Sequence, residues 1–217
     1  MEKYQGIKVN ILHMLHIKEA KMMSTLEQIL QANKQFVEHL PLEYMDDYPI
    51  PGKLPSRELA IFTCMDTRLV DFLEPAMGIS RGEAKVIKIA GNSITGPFEA
   101  TIRSLVISIF ELGVKEIVVI GHLDCGLANT DSEKLIQKML DRGISADAIK
   151  MIEKEMEHWI DHFHHPVENI EEAVIKIRSN PLIPNDVPVH GLVFNPHTGE
   201  LSVVTNGYGY VHKAPMA

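Results

Sequence analysis

The sequence predicts a three-layer α/β/α fold around a four- or five-stranded, mostly parallel sheet, with an N-terminal helix and an antiparallel hairpin at the C-terminal edge. The first observation is three short apolar segments rich in β-branched residues, ELAIFTC, AKVIKIA and EIVVIGH. The second is that helical patterns separate these segments, as expected for a parallel sheet covered on both faces. The third is the final stretch HGLVFNPHTGELSVVTN, in which two strand patterns flank a turn and predict the hairpin.

The N-terminal helix is predicted to begin after Ser24. Ser24 and Glu27 have the spacing of a capping box, and apolar residues follow at helical intervals. These apolar residues are Leu26, Ile29, Leu30 and Phe36. We therefore predict an N-terminal extension over residues 1–23 and a single α/β domain over residues 24–217.

The remaining helices are indicated by their ends. The stretch GPFEATIRSLVISIFELG predicts a helix with Pro97 at its first position and Gly113 at its stop. Three more helices are predicted farther along, in SEKLIQKMLDRG, SADAIKMIEKEMEHWIDHF and PVENIEEAVIKIRSN. Each of the three ends at Gly or Pro within a few residues.

Composition and charge narrow the classes of partner. The chain has 217 residues, 45% of them hydrophobic, which is enough for a substantial core. A formal net charge of -8 argues against nucleic acid or an anionic membrane as the main partner, because both attract basic surfaces. Two cysteines can form at most one bridge, and no apolar run reaches the ~18 residues of a membrane span. We expect a cytoplasmic protein with a small-molecule substrate.

Two cysteines and a histidine follow the predicted strands. Cys64 and His122 end the first and third strands, and Cys125 lies three residues after His122 in GHLDCG. Open α/β sheets place ligands outside the carboxyl ends of their strands, so these side chains should meet in one crevice. Two thiolates and an imidazole are a zinc ligand set that leaves the fourth position to water or to another protein ligand. A disulfide between the cysteines is the alternative, but it would leave His122 without a role.

An acid and a base follow Cys64 at alternate positions. Asp66 is the candidate for a fourth zinc ligand, which would deny water its place. Arg68 can compete for the same carboxylate by a bidentate ion pair, the geometry that a guanidinium group suits best. If Arg68 holds Asp66, the metal is free to bind water. The residues alone leave both arrangements open.

These motifs resemble those of the β-class carbonic anhydrases. The similarity lies in C-x-D-x-R, in the H-x-x-C-G of GHLDCG and in ELGVKEIVVIGH, and it covers roughly residues 24–212. The resemblance implies Zn²⁺ held by Cys64, His122 and Cys125, and a catalytic dyad of Asp66 and Arg68. It implies that Asp66 is a fourth ligand only in a blocked resting form. It also implies a homodimer or larger assembly with active-site clefts at the subunit interface.

The family's activity is the reversible hydration of carbon dioxide to bicarbonate and a proton. Carried onto this chain, the resemblance implies that the backbone amide of Gly126 and a small wall around Ala90 face the substrate. No position matches the glutamine of the plant-type branch, so the chain resembles a smaller, non-plant-type member. Two alternatives remain: a carbon disulfide or carbonyl sulfide hydrolase on the same scaffold, and a non-catalytic zinc-stabilised binding protein. The presence of both Asp66 and Arg68 disfavours the second, since a structural zinc needs no such dyad.

Overall fold

A computed structural model describes residues 23–45, 52–163 and 165–210 of the chain. The chain divides into two units, Met1–Ile50 and Pro51–Ala217. The predicted extension over residues 1–23 lies outside the described residues except for its last residue, and the single domain over residues 24–217 stays a prediction. None of the described helices is both long enough and apolar enough to cross a membrane.

The described part of the first unit contains helix α1, Thr25–Glu38. The predicted capping box is confirmed, because Ser24 N donates to Glu27 Oε2 at 2.7 Å and Glu27 N donates to Ser24 Oγ at 3.3 Å. The apolar face is exposed: Leu26, Ile29 and Leu30 have 64, 58 and 59% of their surface accessible. Helix α1 therefore carries an amphipathic pattern without burying a residue in the described structure.

The second unit is built on a five-stranded sheet. Its strands are β1 (Leu59–Cys64), β2 (Ala84–Ile89), β3 (Glu116–His122), β4 (Val189–Phe194) and β5 (Leu201–Thr205). The spatial order is β2-β1-β3-β4-β5. All neighbours pair in parallel except β4 and β5, which are antiparallel. The predicted sheet and C-terminal hairpin are confirmed.

Six helices of this unit lie within the described residues. They are α2 (Leu73–Ala76), α3 (Ala100–Phe110), α4 (Ser132–Asp141), α5 (Ala146–Lys150), α6 (Glu153–Ile160) and α7 (Pro166–Arg178). Two predictions of helix boundaries were wrong. Helix α3 begins three residues after Pro97, because the Glu99 carboxylate caps it by accepting from the backbone N–H groups of Thr101 and Ile102. The segment predicted as one long helix forms α5 and α6, with the break at Ile152, whose φ of -120° and ψ of -2° are not helical.

The sheet is covered on both faces, as alternation along β1 shows. Ala60 and Phe62 belong to the core cluster that includes side chains of α3 and α7. Ile61 belongs to the cluster on the other face, together with Leu69 and Leu73. Both faces of the central strands are therefore buried, which explains their near-continuous apolar sequences.

The order of the strands places a crevice at one point of the sheet. The chain passes from β1 to β2 on one side and then returns to β3 on the other side of β1. The connections that follow β1 and β3 therefore leave in opposite directions, which creates a topological switch point at their carboxyl ends. Cys64 and His122 are the last residues of these two strands.

Candidate metal centre

Three metal-ligating side chains meet at this switch point. Cys64 ends β1, His122 ends β3, and Cys125 lies in the turn that follows β3. Their ligand atoms all lie within 4.8 Å of one another, and this is the one such group found among the described residues. All three are buried, with 4, 1 and 3% of their surface exposed. The predicted convergence of the three side chains is thus observed.

The spacing of the ligand atoms fits zinc. Tetrahedral coordination with Zn–S bonds of about 2.3 Å places two sulfurs about 3.8 Å apart. The sulfurs of Cys64 and Cys125 are 4.0 Å apart. Both cysteines are free, whereas a disulfide would require about 2.05 Å between the sulfurs. The structure therefore favours the metal site over the disulfide alternative.

The orientation of His122 also suits a metal ligand. Its Nδ1 lies 2.9 Å from the carbonyl oxygen of Leu123, to which an N–H at this position donates. Its Nε2 is buried and has no hydrogen-bond partner. A bond from one ring nitrogen to a backbone carbonyl fixes the tautomer and leaves the other nitrogen free to bind metal. A cation between the sulfurs would satisfy this otherwise unpaired atom.

The two thiols affect each other's ionisation. The hydrogen bond with Cys125 is the largest effect on Cys64 and lowers the pKa of that thiol, against the opposing effect of burial. The same contact, together with burial, raises the pKa of Cys125 above its usual value. A divalent cation binds thiolates rather than thiols, so the apparent metal affinity should rise with pH.

Asp66 is held by Arg68 in the predicted bidentate arrangement. Arg68 Nε donates to Asp66 Oδ1 at 3.0 Å, and Arg68 Nη2 donates to Asp66 Oδ2 at 2.8 Å. These bonds lower the pKa of Asp66 to about 2. Asp66 Oδ2 lies 3.8 Å from Nε2 of His122. The carboxylate is therefore close to the centre while its oxygens accept hydrogen bonds from the guanidinium group. In this arrangement both oxygens of Asp66 are paired with Arg68, and Asp66 is not part of the group of ligand atoms that lie within 4.8 Å of one another.

Asp124 is a partner of Arg68 that the sequence analysis missed. Arg68 Nη1 donates to Asp124 Oδ2 at 2.9 Å, and Arg68 Nη2 donates to the Asp124 carbonyl oxygen at 2.7 Å. Asp124 lies between two ligands in GHLDCG, and this position was the only indication in the sequence that it belongs to the centre. Nothing in the spacing shows that its side chain reaches a residue 56 positions earlier.

The two residues predicted to face the substrate flank the centre in short turns. Ala90 begins the turn Ala90–Asn92 directly after β2 and lines a cavity of about 390 Å³ that Met156 and Trp159 also line. Gly126 follows Cys125, begins the turn Gly126–Asn129 and has open space where a side chain would stand. Their contact with a substrate stays a prediction.

Gly91 allows the loop after β2 to approach the centre closely. Its φ is +65°, in the left-handed region that favours glycine. A Cβ on Gly91 would overlap the Leu127 side chain and lie 3.1 Å from Cε2 of Phe163. Leu127 and Phe163 belong to or pack on the core cluster that contains Cys64 and Cys125. A side chain at this position would therefore push directly on the packing around the ligands.

We expect Gly91→Ala to lower the free energy of unfolding by about 2–5 kcal/mol. The cost of a left-handed backbone conformation for alanine adds to the cost of overpacking against Leu127 and Phe163. Gly78→Ala is the matched control, since Gly78 has nearly the same φ of +63° but nothing within 4 Å of its Cβ position. The control should lose only about 1–2 kcal/mol. Chemical denaturation of both metal-loaded variants measures the difference, and equal losses would show that close packing at Gly91 is unimportant.

Comparison with known proteins agrees with the geometry. The carbonic anhydrase family model matches residues 59–201. The Bacillus subtilis protein "Putative carbonic anhydrase YtiB" is 39% identical over 189 residues, which are 86% of this chain and 99% of that protein. A carbon disulfide hydrolase from Acidithiobacillus thiooxidans is 30% identical over 157 residues, 67% of this chain and 76% of that one.

A solved structure extends the similarity to three dimensions. The crystal structure of β-carbonic anhydrase isoform I from Trichomonas vaginalis has a TM-score of 0.81 and 43% sequence identity, and the match covers 86% of this chain and 100% of that chain. The family model spans the strands that carry the ligands, and the turn with the second motif lies inside the same range. On this evidence the chain belongs to the β-class carbonic anhydrase family.

Proposed function

We propose that the protein catalyses the reversible hydration of carbon dioxide to bicarbonate and a proton, with Zn²⁺ held by Cys64, His122 and Cys125. The observation that carries the proposal is the pairing of Asp66 with Arg68 beside these ligands. A structural zinc is closed by four protein ligands, whereas a catalytic zinc keeps one position open. An arginine that occupies the nearest carboxylate serves only the second kind of site.

The metal and the side chains would contribute different parts of the reaction. When bound, zinc supplies Lewis acidity that makes a nucleophile from water available near neutral pH. Asp66 would accept a hydrogen bond from that nucleophile and thereby orient it toward carbon dioxide. Because Arg68 holds the pKa of Asp66 at about 2, the carboxylate remains an acceptor at every pH at which the enzyme would work.

The substrate would lie between the two turns that flank the ligands. We assign the exposed backbone amide of Gly126 as a donor to a substrate oxygen and the methyl group of Ala90 as part of an apolar wall. Both positions are small, which suits a linear triatomic molecule. Ala90 also lines the cavity of about 390 Å³, and we assign this cavity as the approach for the substrate.

Hydrolysis of carbon disulfide is the second candidate function. The relative from Acidithiobacillus thiooxidans named for this activity is 30% identical to the chain. Carbon disulfide is a larger, more apolar analogue of carbon dioxide, and the same nucleophile could attack either. Carbonyl sulfide is intermediate between the two. The dimensions of the approach around Ala90 would decide between them, rather than the ligands.

We also propose that the protein works as a homodimer. The described apolar residues of α1 are largely exposed, and Val37, on the same face as Leu26 and Leu30, is 65% exposed. A second copy of the chain is the occupant we propose for this face, in line with the dimer that the family resemblance implies. Light scattering of the purified protein should give the mass of two chains or a multiple of it.

The deciding experiment is a stopped-flow hydration assay across pH on protein of known metal content. We expect about one zinc per chain and activity that rises on the alkaline side of neutrality, because two thiolates donate more charge to the metal than imidazoles do. Carbon disulfide and carbonyl sulfide are assayed in parallel, with metal-stripped protein as the control. Hydration no faster than the control, with hydrolysis of carbon disulfide, would favour the second candidate.

A further inference from the structure

We propose that Asp124 is a positioning residue that clamps Arg68 and so keeps Asp66 away from the metal. In this arrangement Asp124 sets the balance between an open centre and one blocked by Asp66. The inference deepens the proposed function and rests on it in one respect, that the centre holds a divalent cation. Asp124 itself touches neither the ligand atoms nor the proposed substrate.

The clamp uses both edges of the guanidinium group. Nε and Nη2 of Arg68 bind the two carboxylate oxygens of Asp66, at 3.0 and 2.8 Å. Nη1 binds Oδ2 of Asp124, and the second hydrogen of Nη2 is directed to the Asp124 carbonyl oxygen. Four of the five N–H groups of Arg68 are thereby used, and the two acids draw on different hydrogens. The two contacts are therefore simultaneous, and each fixes the orientation that the other needs.

The backbone of Asp124 is bent so that it presents two acceptors at once. Its φ is +54°, in the left-handed region where non-glycine residues are uncommon and Asp and Asn are enriched. This conformation directs both the carbonyl oxygen and the carboxylate toward Arg68. Since His122 and Cys125 flank Asp124 closely in sequence, the arginine is anchored to the segment that carries two of the ligands.

Loss of the clamp should shift Asp66 toward the metal. Asp66 Oδ2 is already 3.8 Å from Nε2 of His122, so a small movement suffices for the carboxylate to reach the centre. Without the Asp124 carboxylate, this edge of Arg68 keeps only the bond to the backbone carbonyl oxygen of residue 124, so the guanidinium group can turn more easily with Asp66. The side chain of Asp124 is 66% exposed, so its charge is screened by solvent and its effect should be graded.

The test compares Asp124→Gly and Asp124→Asn with Asp71→Asn. Gly and Asn both tolerate the left-handed conformation, so the turn should fold in each variant. Asp71 is a matched control, because it is an exposed aspartate with a φ of +53° in the segment that follows Arg68. The readout is binding of thiocyanate to the cobalt(II)-substituted protein, followed by visible absorption, since an anion enters only an open metal position.

We expect Asp124→Gly to weaken thiocyanate binding and to lower kcat/KM for hydration, each by roughly three- to tenfold. This is the scale of one hydrogen bond in an exposed charge pair, since the bond to the backbone carbonyl oxygen of residue 124 remains. Asp124→Asn should lie between this variant and the unaltered protein, and Asp71→Asn should change neither quantity. In an Asp66→Asn background, Asp124→Gly should have no further effect on thiocyanate binding.

Two results would overturn the inference. The first is thiocyanate binding by Asp124→Gly equal to that of the unaltered protein. The second is an equal loss of thiocyanate binding with and without the Asp66→Asn change, which would indicate a general structural role. If the unaltered protein fails to hydrate carbon dioxide, the proposed function fails, whereas the thiocyanate measurement still tests the clamp.

Discussion

Cys125→Ser is expected to lower zinc content from about one ion per chain to less than about a tenth of that, and to abolish hydration with it. Serine keeps the shape of the side chain but offers a neutral hydroxyl, which is a poor zinc ligand at neutral pH. Cys64 and His122 alone would leave the cation with two ligands in a buried site. Metal analysis of the purified variant, alongside the stopped-flow assay, measures both losses.

The loss of metal should also appear in stability. Cys125 is 3% exposed and lies in the core cluster with Cys64, so the bound cation would crosslink β1 to the turn after β3. A ligand that binds only the folded state stabilises it by mass action. We therefore expect a lower Tm for Cys125→Ser than for the zinc-loaded protein, and a Tm that no longer responds to added zinc.

A histidine outside the centre provides the matched control for ligand loss. His122→Gln should lose zinc as Cys125→Ser does, whereas His158→Gln should retain it. His158 is exposed on α6 and packs against His162, with 4.6 Å between the ring centroids. Full zinc content in Cys125→Ser would contradict the centre as described, because no other group of three His, Cys, Asp or Glu ligands was found among the described residues.

Much of the centre could be predicted because its residues follow from simple rules of chain direction. Cys64 and His122 end parallel strands, and such ends meet at one edge of a sheet. Asp66 and Arg68 are close enough in sequence for their pairing to be expected. These predictions required only the identity of the strands, which their β-branched apolar runs made plain.

The features that were missed depend on conformations that spacing does not reveal. Asp124 reaches Arg68 only because its backbone adopts a φ of +54° across a separation of 56 residues. The start of α3 was placed too early because the Glu99 side chain competes with Pro97 as the helix-initiating signal. In each case a backbone conformation or a side-chain hydrogen bond decides between two arrangements that the hydrophobic pattern does not distinguish.

Arg68→Ala is expected to lower kcat/KM for hydration by about 100-fold or more. The change would disable Asp66, and one general acid–base side chain typically contributes at least about this factor to catalysis. Without its guanidinium partner the Asp66 carboxylate keeps only the hydrogen bond that Oδ1 accepts from the backbone N–H of Arg68. Its Oδ2, which lies 3.8 Å from Nε2 of His122, can then move toward the metal. Arg68→Ala should therefore lose thiocyanate binding at the cobalt centre together with activity. Arg57→Ala is the control, because Arg57 pairs with Glu83 at 3.1 Å on the surface and should affect neither.

Asp66→Asn separates the two roles that the dyad combines. An amide is a weaker metal ligand than a carboxylate, so this variant should keep the fourth metal position open and bind thiocyanate. Its activity should nevertheless fall by a factor similar to that of Arg68→Ala, because the acceptor that orients the nucleophile is weakened. Since the pKa of Asp66 is held at about 2, the loss should be the same across neutral and alkaline pH. Disappearance of the midpoint from the pH profile would instead assign that midpoint to Asp66.

The double variant gives the sharpest outcome. If Arg68 acts chiefly by holding Asp66 away from the metal, then Arg68→Ala in the Asp66→Asn background should restore thiocyanate binding that Arg68→Ala alone removes. If Arg68 instead contacts the substrate or anion directly, the double variant should bind thiocyanate as poorly as Arg68→Ala. The clamp by Asp124 requires the first result, because Asp124 reaches the centre only through the Arg68–Asp66 pair.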